Sequence, residues 1–154
     1  MIIRDIKRNE MGDLLKLYTH LHREDAPLPE KSKLESIWNE ITLNPLLYYF
    51  VVEIDEKIVS SCTLSIIPNL TRGGRPYGLI ENVVTHAGYR RRGFGASVLQ
   101  HALEIAWKNN CYKVMLLTGS KDPAIHQFYE GVGFKMGIKT GFVANAKDFS
   151  YKGG

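Results

Sequence analysis

Two cysteines are all that this 154-residue chain contains. Cys62 and Cys111 show no metal-ligand spacing, which argues against a cysteine zinc site and a disulfide scaffold and favours a cytoplasmic, reduced chain with two packed thiols. Long apolar runs are also missing, so no membrane span is expected, and Met1-Ile2-Ile3-Arg4-Asp5 has no signal-peptide pattern. There is no internal repeat and no low-complexity tract. His20 and His22 stand two apart and cannot share a helix face, so no metal is expected there. No Gly-Lys-Ser/Thr ends the one arginine- and glycine-rich turn, which argues against a P-loop. A dinucleotide fingerprint is not completed either, because Ser97 and Val98 follow Gly95-Ala96 where a third small residue would be needed.

What is present suits a folded chain. Hydrophobic residues make up 44% and charged residues 23%, and the length favours a single domain over residues 1–150 with a frayed tail at 151–154. The formal net charge of +4 favours an anionic ligand without saying which kind. Met1 to Lys7 reads as a first strand. Asn9 stands where a cap would precede a helix on Met11, Leu14, Leu15, Tyr18 and Leu21. A loop from Arg23 to Ser32 leads to a second helix on Leu34, Ile37, Trp38 and Ile41, which ends before Asn44-Pro45. Leu46 to Ile54 and the run through Ile58, Cys62, Leu64 and Ile66 read as strands of an antiparallel meander.

Leu79 to Thr85 is a further strand. A helix follows from about Ala96 to Lys108, with Val98, Leu99, Ala102, Leu103, Ile105 and Ala106 toward the sheet. Tyr112 to Thr118 is nearly all apolar, the pattern of a strand covered on both faces. Asp122 caps a last helix with Pro123 in its first position, Ile125, Phe128, Tyr129 and Val132 form its stripe, and Gly133 ends it. Phe134 to Asn145 supplies one or two final strands. The order β-α-α-β-β-β-α-β-α-β(-β) predicts an α/β (α+β) fold: a mixed, mostly antiparallel sheet of six to seven strands with about four helices on both faces.

The chain is organised around Tyr89-Arg90-Arg91-Arg92-Gly93-Phe94-Gly95-Ala96, set between a strand and a helix. Amides at a helix N-terminus lack partners within the helix, and the dipole adds positive charge there, so the junction suits a phosphate. Gly93 and Gly95 let the backbone approach a ligand, and the arginines add charge for phosphate oxygens. The same arginines could instead be a solvated surface turn.

Arg90-Arg91-Arg92-Gly93-Phe94-Gly95 resembles the Arg/Gln-x-x-Gly-x-Gly/Ala signature of the GNAT superfamily of acyl-CoA N-acyltransferases. Asp122-Pro123-Ala124-Ile125-His126-Gln127-Phe128-Tyr129-Glu130-Gly131-Val132-Gly133-Phe134 is similar to that family's Asn-x-x-Ala-x-x-Phe-Tyr-x-x-x-Gly-Phe segment. The two motifs are in the family's order and spacing, and the resemblance covers roughly Lys57 to Phe134. It implies the GNAT fold with strands four and five splayed, acetyl-CoA as acyl donor, no metal, and transfer of an acetyl group to a primary amine of a small molecule by direct attack. The diphosphate of coenzyme A would lie on Arg90, Arg91, Arg92, Gly93, Phe94, Gly95 and Ala96. The pantetheine arm would run along Asn82, Val83, Val84 and Thr85, with Ser120, Asp122 and Tyr129 also on the cofactor side. Asp122 stands where many relatives have Asn, and an ionised Asp cannot donate a hydrogen bond, so Ser120 is the substitute donor.

Glu81 is the candidate base. It is a single carboxylate in an apolar strand beside the cofactor turn, where partial removal from water would raise its proton affinity; the alternative is an edge-facing Glu or a salt-bridged one, with Arg75 as the partner. Resemblance points to a backbone amide near Val83, freed by a bulge, as donor to the oxyanion. Tyr129 is a core-stripe residue by periodicity, and by resemblance the general acid near the coenzyme sulfur. His86 and His126 receive no role.

The acceptor side is implied to involve His20 to Ile41 and Lys135 to Asn145. Glu24, Asp25 and Glu30 suit a cationic amine, and Ile80-Glu81-Asn82-Val83-Val84 is similar to the amino-sugar-phosphate branch, where Arg72 or Arg75 would meet a phosphate. Other amine metabolites, a peptide or protein amine, and a non-catalytic coenzyme A sensor remain open alternatives. A nucleic-acid module using Arg72, Arg75 and Arg90 to Arg92 fits less well, because no aromatics interleave with the arginines and no reading helix is present. Small family members often pair through terminal strands, which implies a homodimer.

Overall fold

A computed structural model describes residues 1–22 and 24–148. The expected tail at 151–154 therefore lies outside the described residues, as does Arg23 in the first long loop. The chain divides into two compact units, residues 1–118 and 119–154.

The first unit is built on a sheet in the order β1 (Ile2–Asp5), β2 (Leu47–Ile54), β3 (Lys57–Ile67), β4 (Tyr77–Thr85) and β5 (Val114–Leu116). The first four strands pair antiparallel and β5 joins β4 in parallel. Successive residues of β2 reach opposite faces. Tyr49 meets Trp38 of α2 (Lys31–Leu43) edge-on at 6.0 Å, and Phe50 meets His101 of α4 (Phe94–Lys108) at 4.8 Å. Helices thus cover both faces. Between them, β3 buries Val59, Ser60, Ser61, Cys62, Thr63 and Leu64 in an unbroken run. Against it pack Val98, Leu99, Ala102 and Ala106 of α4 and Leu14 and Leu17 of α1 (Met11–Tyr18). Both cysteines are free and buried, as their sequence context suggested, and burial pushes the Cys62 thiol up to about 12, so it stays protonated. Arg4 joins β1 to the rest through Glu10 at 2.7 Å and Glu53 at 2.5 Å.

The mixed, mostly antiparallel sheet is as expected, but its strand count is not. Five strands form among the described residues, not six or seven. Residues 134–145 form none. Gly137 there takes φ 81, which interrupts an extended run. Met136, Ile138, Phe142 and Val143 are exposed. A strand needs an edge to pair with as well as a pattern, and no partner strand takes this segment among the described residues. The expected Tyr112 to Thr118 strand likewise shrinks to Val114–Leu116 at the sheet edge, half-buried and not covered on both faces. Asn9 is not a cap: it lies within a 3-10 turn, Arg8–Glu10, and Glu10 closes the turn by accepting the Lys7 amide at 2.7 Å. A single turn, α3 (Thr71–Gly74), follows β3.

The second unit contains α5 (Pro123–Val132). Asp122 caps it by accepting the Ala124 amide at 2.9 Å, Pro123 opens it, and Gly133 at φ 119 closes it, all as the sequence predicted.

Candidate active site

β4 changes character midway. Up to Ile80 it pairs on both sides: Gly78, Leu79 and Ile80 face Val114, Met115 and Leu116 of β5. There the pairing with β5 stops, yet β4 continues to Thr85. The two strands therefore part at Glu81, the splay the family resemblance implies. At the same place the ladder with β3 slips. Ser61 pairs with Val84 and Thr63 with Glu81, so Cys62 alone faces Asn82 and Val83. Asn82 takes φ 52, the left-handed conformation of a bulged residue. Two β3 hydroxyls hold carbonyls on either side of the bulge: Thr63 donates to Glu81 O and Ser60 to Val84 O, both at 2.9 Å.

Glu81 and Asn82 are exposed at this point, while Ile80 and Val84 are buried. The partial burial expected of Glu81 is thus absent in the chain alone. Its alternative partner is engaged elsewhere, because Arg75 donates to the carbonyls of Asn110 and Cys111 at 3.2 and 3.1 Å. Arg75 thereby ties the segment after α4 to the turn that leads into β4. Arg72, at φ 55, lies over the Tyr112 ring.

Beyond Thr85 the chain makes a 3-10 turn, Ala87–Tyr89, passes through Arg91 at φ 60, and enters α4 at Gly93 with φ 83. The Ser97 amide is the first to bond into the helix, on Gly93 O at 2.9 Å. The amides of Phe94, Gly95 and Ala96 precede that ladder and carry the positive end of the dipole. Nothing lies within 4 Å of where a Cβ on Gly93 would stand, so the space above the turn is open. Phe94 is buried and anchors the turn from below.

The three arginines do different things. Arg90 donates to Thr85 O at 3.1 Å and His20 O at 3.0 Å, so it clamps the turn to the end of α1. Arg92 lies over the rings of Tyr89 and Phe94. Arg91 is exposed, and no hydrogen bond or ion pair holds its side chain among the described residues. His20 completes the clamp, its ring tilted against that of His86 at 4.1 Å and its Nδ1 accepting the Ala87 amide, 3.4 Å away. Burial, with His86 and Arg90 adding to it, holds the His20 pKa below the usual imidazole range. Sequence reasoning gave these histidines no role; only the fold brings residues 20, 86 and 90 together.

In the second unit, Tyr129 lies half-buried between Phe128 and Phe134, with ring centroids at 5.0 and 6.3 Å. Ser120 accepts the Asp122 amide at 3.2 Å, and its carbonyl meets His126 Nε2 at 2.7 Å. Elsewhere, two concavities of about 400 and 380 Å³ lie along the Trp38 side of α2 and beside Tyr48 and Tyr49. Neither includes a residue of β4 or the arginine turn.

A strand that outruns its parallel neighbour, bulges, and feeds a glycine-led helix leaves an open strand edge beside a helix N-terminus. The profile of the acetyltransferase (GNAT) family matches residues 13–134, and the chain belongs to that family. It is 42% identical over 79 residues to the glucosamine 6-phosphate N-acetyltransferase of Trypanosoma brucei brucei, a match covering 51% of this chain and 52% of that protein. The aligned region spans about half the length of the first two curated relatives. A solved structure from Agrobacterium tumefaciens str. C58 superposes with a TM-score of 0.88 at 43% identity, over 94% of this chain and 99% of its own. An acetyltransferase of Trypanosoma brucei superposes at 0.78 with 29% identity, over 94% and 99%.

Proposed function

We propose that this chain is an N-acetyltransferase that moves the acetyl group of acetyl-CoA to the primary amine of a small molecule, and that the acceptor is an amino-sugar phosphate. The observation that carries the reaction is the parting of β4 from β5 at Ile80 and Leu116, next to the bulge at Asn82. The acceptor class rests on the relative that acetylates glucosamine 6-phosphate.

In this reading the diphosphate sits on the amides of Phe94, Gly95 and Ala96, with Arg91 the arginine left to reach it. Arg90 and Arg92 serve by holding the turn. The pantetheine arm pairs with β4 from Asn82 to Thr85. The amine nitrogen attacks the thioester carbonyl, and the Val83 amide stabilises the oxyanion. Glu81, directly or through water, takes the amine proton. As the C–S bond breaks, Tyr129 gives its proton to the departing sulfur, and solvent restores it. The products are an amide and coenzyme A thiol. Tyr129, Ser120 and Asp122 take their roles from the family signature alone. Arg72 is the better candidate for the acceptor phosphate, since Arg75 is committed to carbonyls. We further infer a homodimer, supported by the exposed Phe142 and Val143, and a cytoplasmic location, supported by the two free cysteines.

Mixing the protein with acetyl-CoA and a panel of amines, with free thiol as readout, tests this. Thiol release with glucosamine 6-phosphate above all other amines is expected. Release only with peptide amines would overturn the acceptor class, and no release with any amine would overturn the activity.

A further inference from the structure

The backbone amides of the turn beyond β4 fall into two sets. Ala87 donates to His20 Nδ1 at 3.4 Å and Gly88 to His86 Nδ1 at 3.1 Å. Tyr89 donates to His86 O at 2.9 Å and Arg90 to Ala87 O at 3.5 Å. The amides from Arg91 to Ala96 make no hydrogen bond among the described residues, and the helix ladder begins at Ser97. The turn is thus closed on protein atoms as far as Arg90 and open to a ligand from Arg91 onward.

His20 fixes that boundary from outside the turn. It stands just past α1, and its contacts with the turn converge: Nδ1 accepts the Ala87 amide, its carbonyl accepts Arg90 Nη2 at 3.0 Å, and its ring lies against that of His86 at 4.1 Å. An imidazole nitrogen accepts only while it carries no proton; protonated, Nδ1 becomes a donor aimed at another donor. The charged or titratable groups facing His20 are His86 and Arg90, and no carboxylate pairs with it among the described residues. Burial first, and then these two neighbours, favour the neutral ring.

We propose that His20 is a positioning residue for the acyl donor: its neutral ring pins Ala87 so that the amides from Arg91 to Ala96 stand ready for the diphosphate, and its protonation releases the turn and weakens donor binding. The proposal rests on the acetyltransferase reading above and deepens it. Occupancy of the donor site becomes acid-sensitive through a group that acts on the turn rather than on the donor. A positive charge by itself would do the opposite, by attracting an anion, so the sign of the pH dependence separates positioning from simple attraction.

Calorimetric titration of 3′-dephospho-coenzyme A at about pH 8 and about pH 5, well below the unfolding midpoint at each, tests this. That probe keeps the diphosphate but lacks the phosphomonoester that would itself titrate in this range. Native affinity should fall about tenfold in acid, the worth of one hydrogen bond. His20→Asn offers an acceptor near the Nδ1 position that takes up no proton, so its affinity should change by less than about twofold over the same interval. His20→Phe, without the acceptor, should bind about tenfold more weakly than the native chain at the higher pH. If His20→Phe also loses stability, the His20→Asn comparison still decides. Native affinity that holds or rises in acid, or a fall just as steep in His20→Asn, would overturn the proposal and leave the donor site standing. No binding at either pH would overturn the donor reading and the proposal together.

Discussion

β3 and β4 lie side by side in one sheet, and both read from sequence as apolar strands. β3 buries six residues in succession and pairs along nearly its whole length. β4 surfaces at Glu81 and Asn82, breaks register, and loses its parallel neighbour. The difference separates stability from chemistry. A strand covered on both faces has no atom to offer a substrate, whereas one that leaves its ladder presents a carboxylate and a backbone amide. The two are not independent, because hydroxyls of β3 grip the β4 carbonyls on either side of the break.

Substitutions in the two strands should therefore fail differently. Leu64→Ala removes a fully buried side chain between β3 and its covering helices. Chemical denaturation should show a loss of about 3 kcal/mol, with kcat of the folded fraction nearly unchanged. If kcat fell in step with stability, the division between the strands would be wrong. Glu81→Gln should do the opposite. Stability should hold within about 0.5 kcal/mol for an exposed site, and kcat should fall about a hundredfold with the pH dependence of the rate flattened. An unaltered pH–rate profile would remove Glu81 from the role of base.

A smaller effect concerns the clamp beyond β4. Because the folded chain holds the His20 pKa below its ordinary value, the unfolded chain takes up the proton first. The stability from neutral His20 is thus present above the usual imidazole pKa and lost as the pH falls through the folded value. Protonation would also end its acceptance of the Ala87 amide and set a cation beside Arg90 and His86. His20→Asn, which keeps an acceptor near the Nδ1 position, should flatten the fall in thermal stability between about pH 7 and pH 5. An unchanged slope would show that the clamp does not titrate.

Much of this was legible in the chain. The caps at Asp122, Pro123 and Gly133, the glycine-led start of α4 and the even spacing in β3 are local signals, and local signals survive folding. The bulge was foreseen near Val83 only through family likeness, although Asn82, the one residue of Ile80-Glu81-Asn82-Val83-Val84 whose type readily turns left-handed, was a usable hint. The run Ser60-Ser61-Cys62-Thr63, small and polar inside an apolar strand, was a usable hint of the support behind it. The clamp of Arg90 on His20 joins residues far apart in sequence, and no pattern along the chain encodes such a meeting. Residues 134–145 failed the other way: one or two strands were expected there, but pairing depends on an available edge.

The central claim is that the amides leading α4, opened by a left-handed Gly93, hold the diphosphate of the acyl donor. Calorimetric titration of acetyl-CoA into the native chain and into Gly93→Ala tests it most directly. The account predicts binding to the native chain, weakened about tenfold in the variant, because a Cβ there would stand in the open space above the turn that the diphosphate fills. No heat with the native chain, or equal affinity in both, would contradict it.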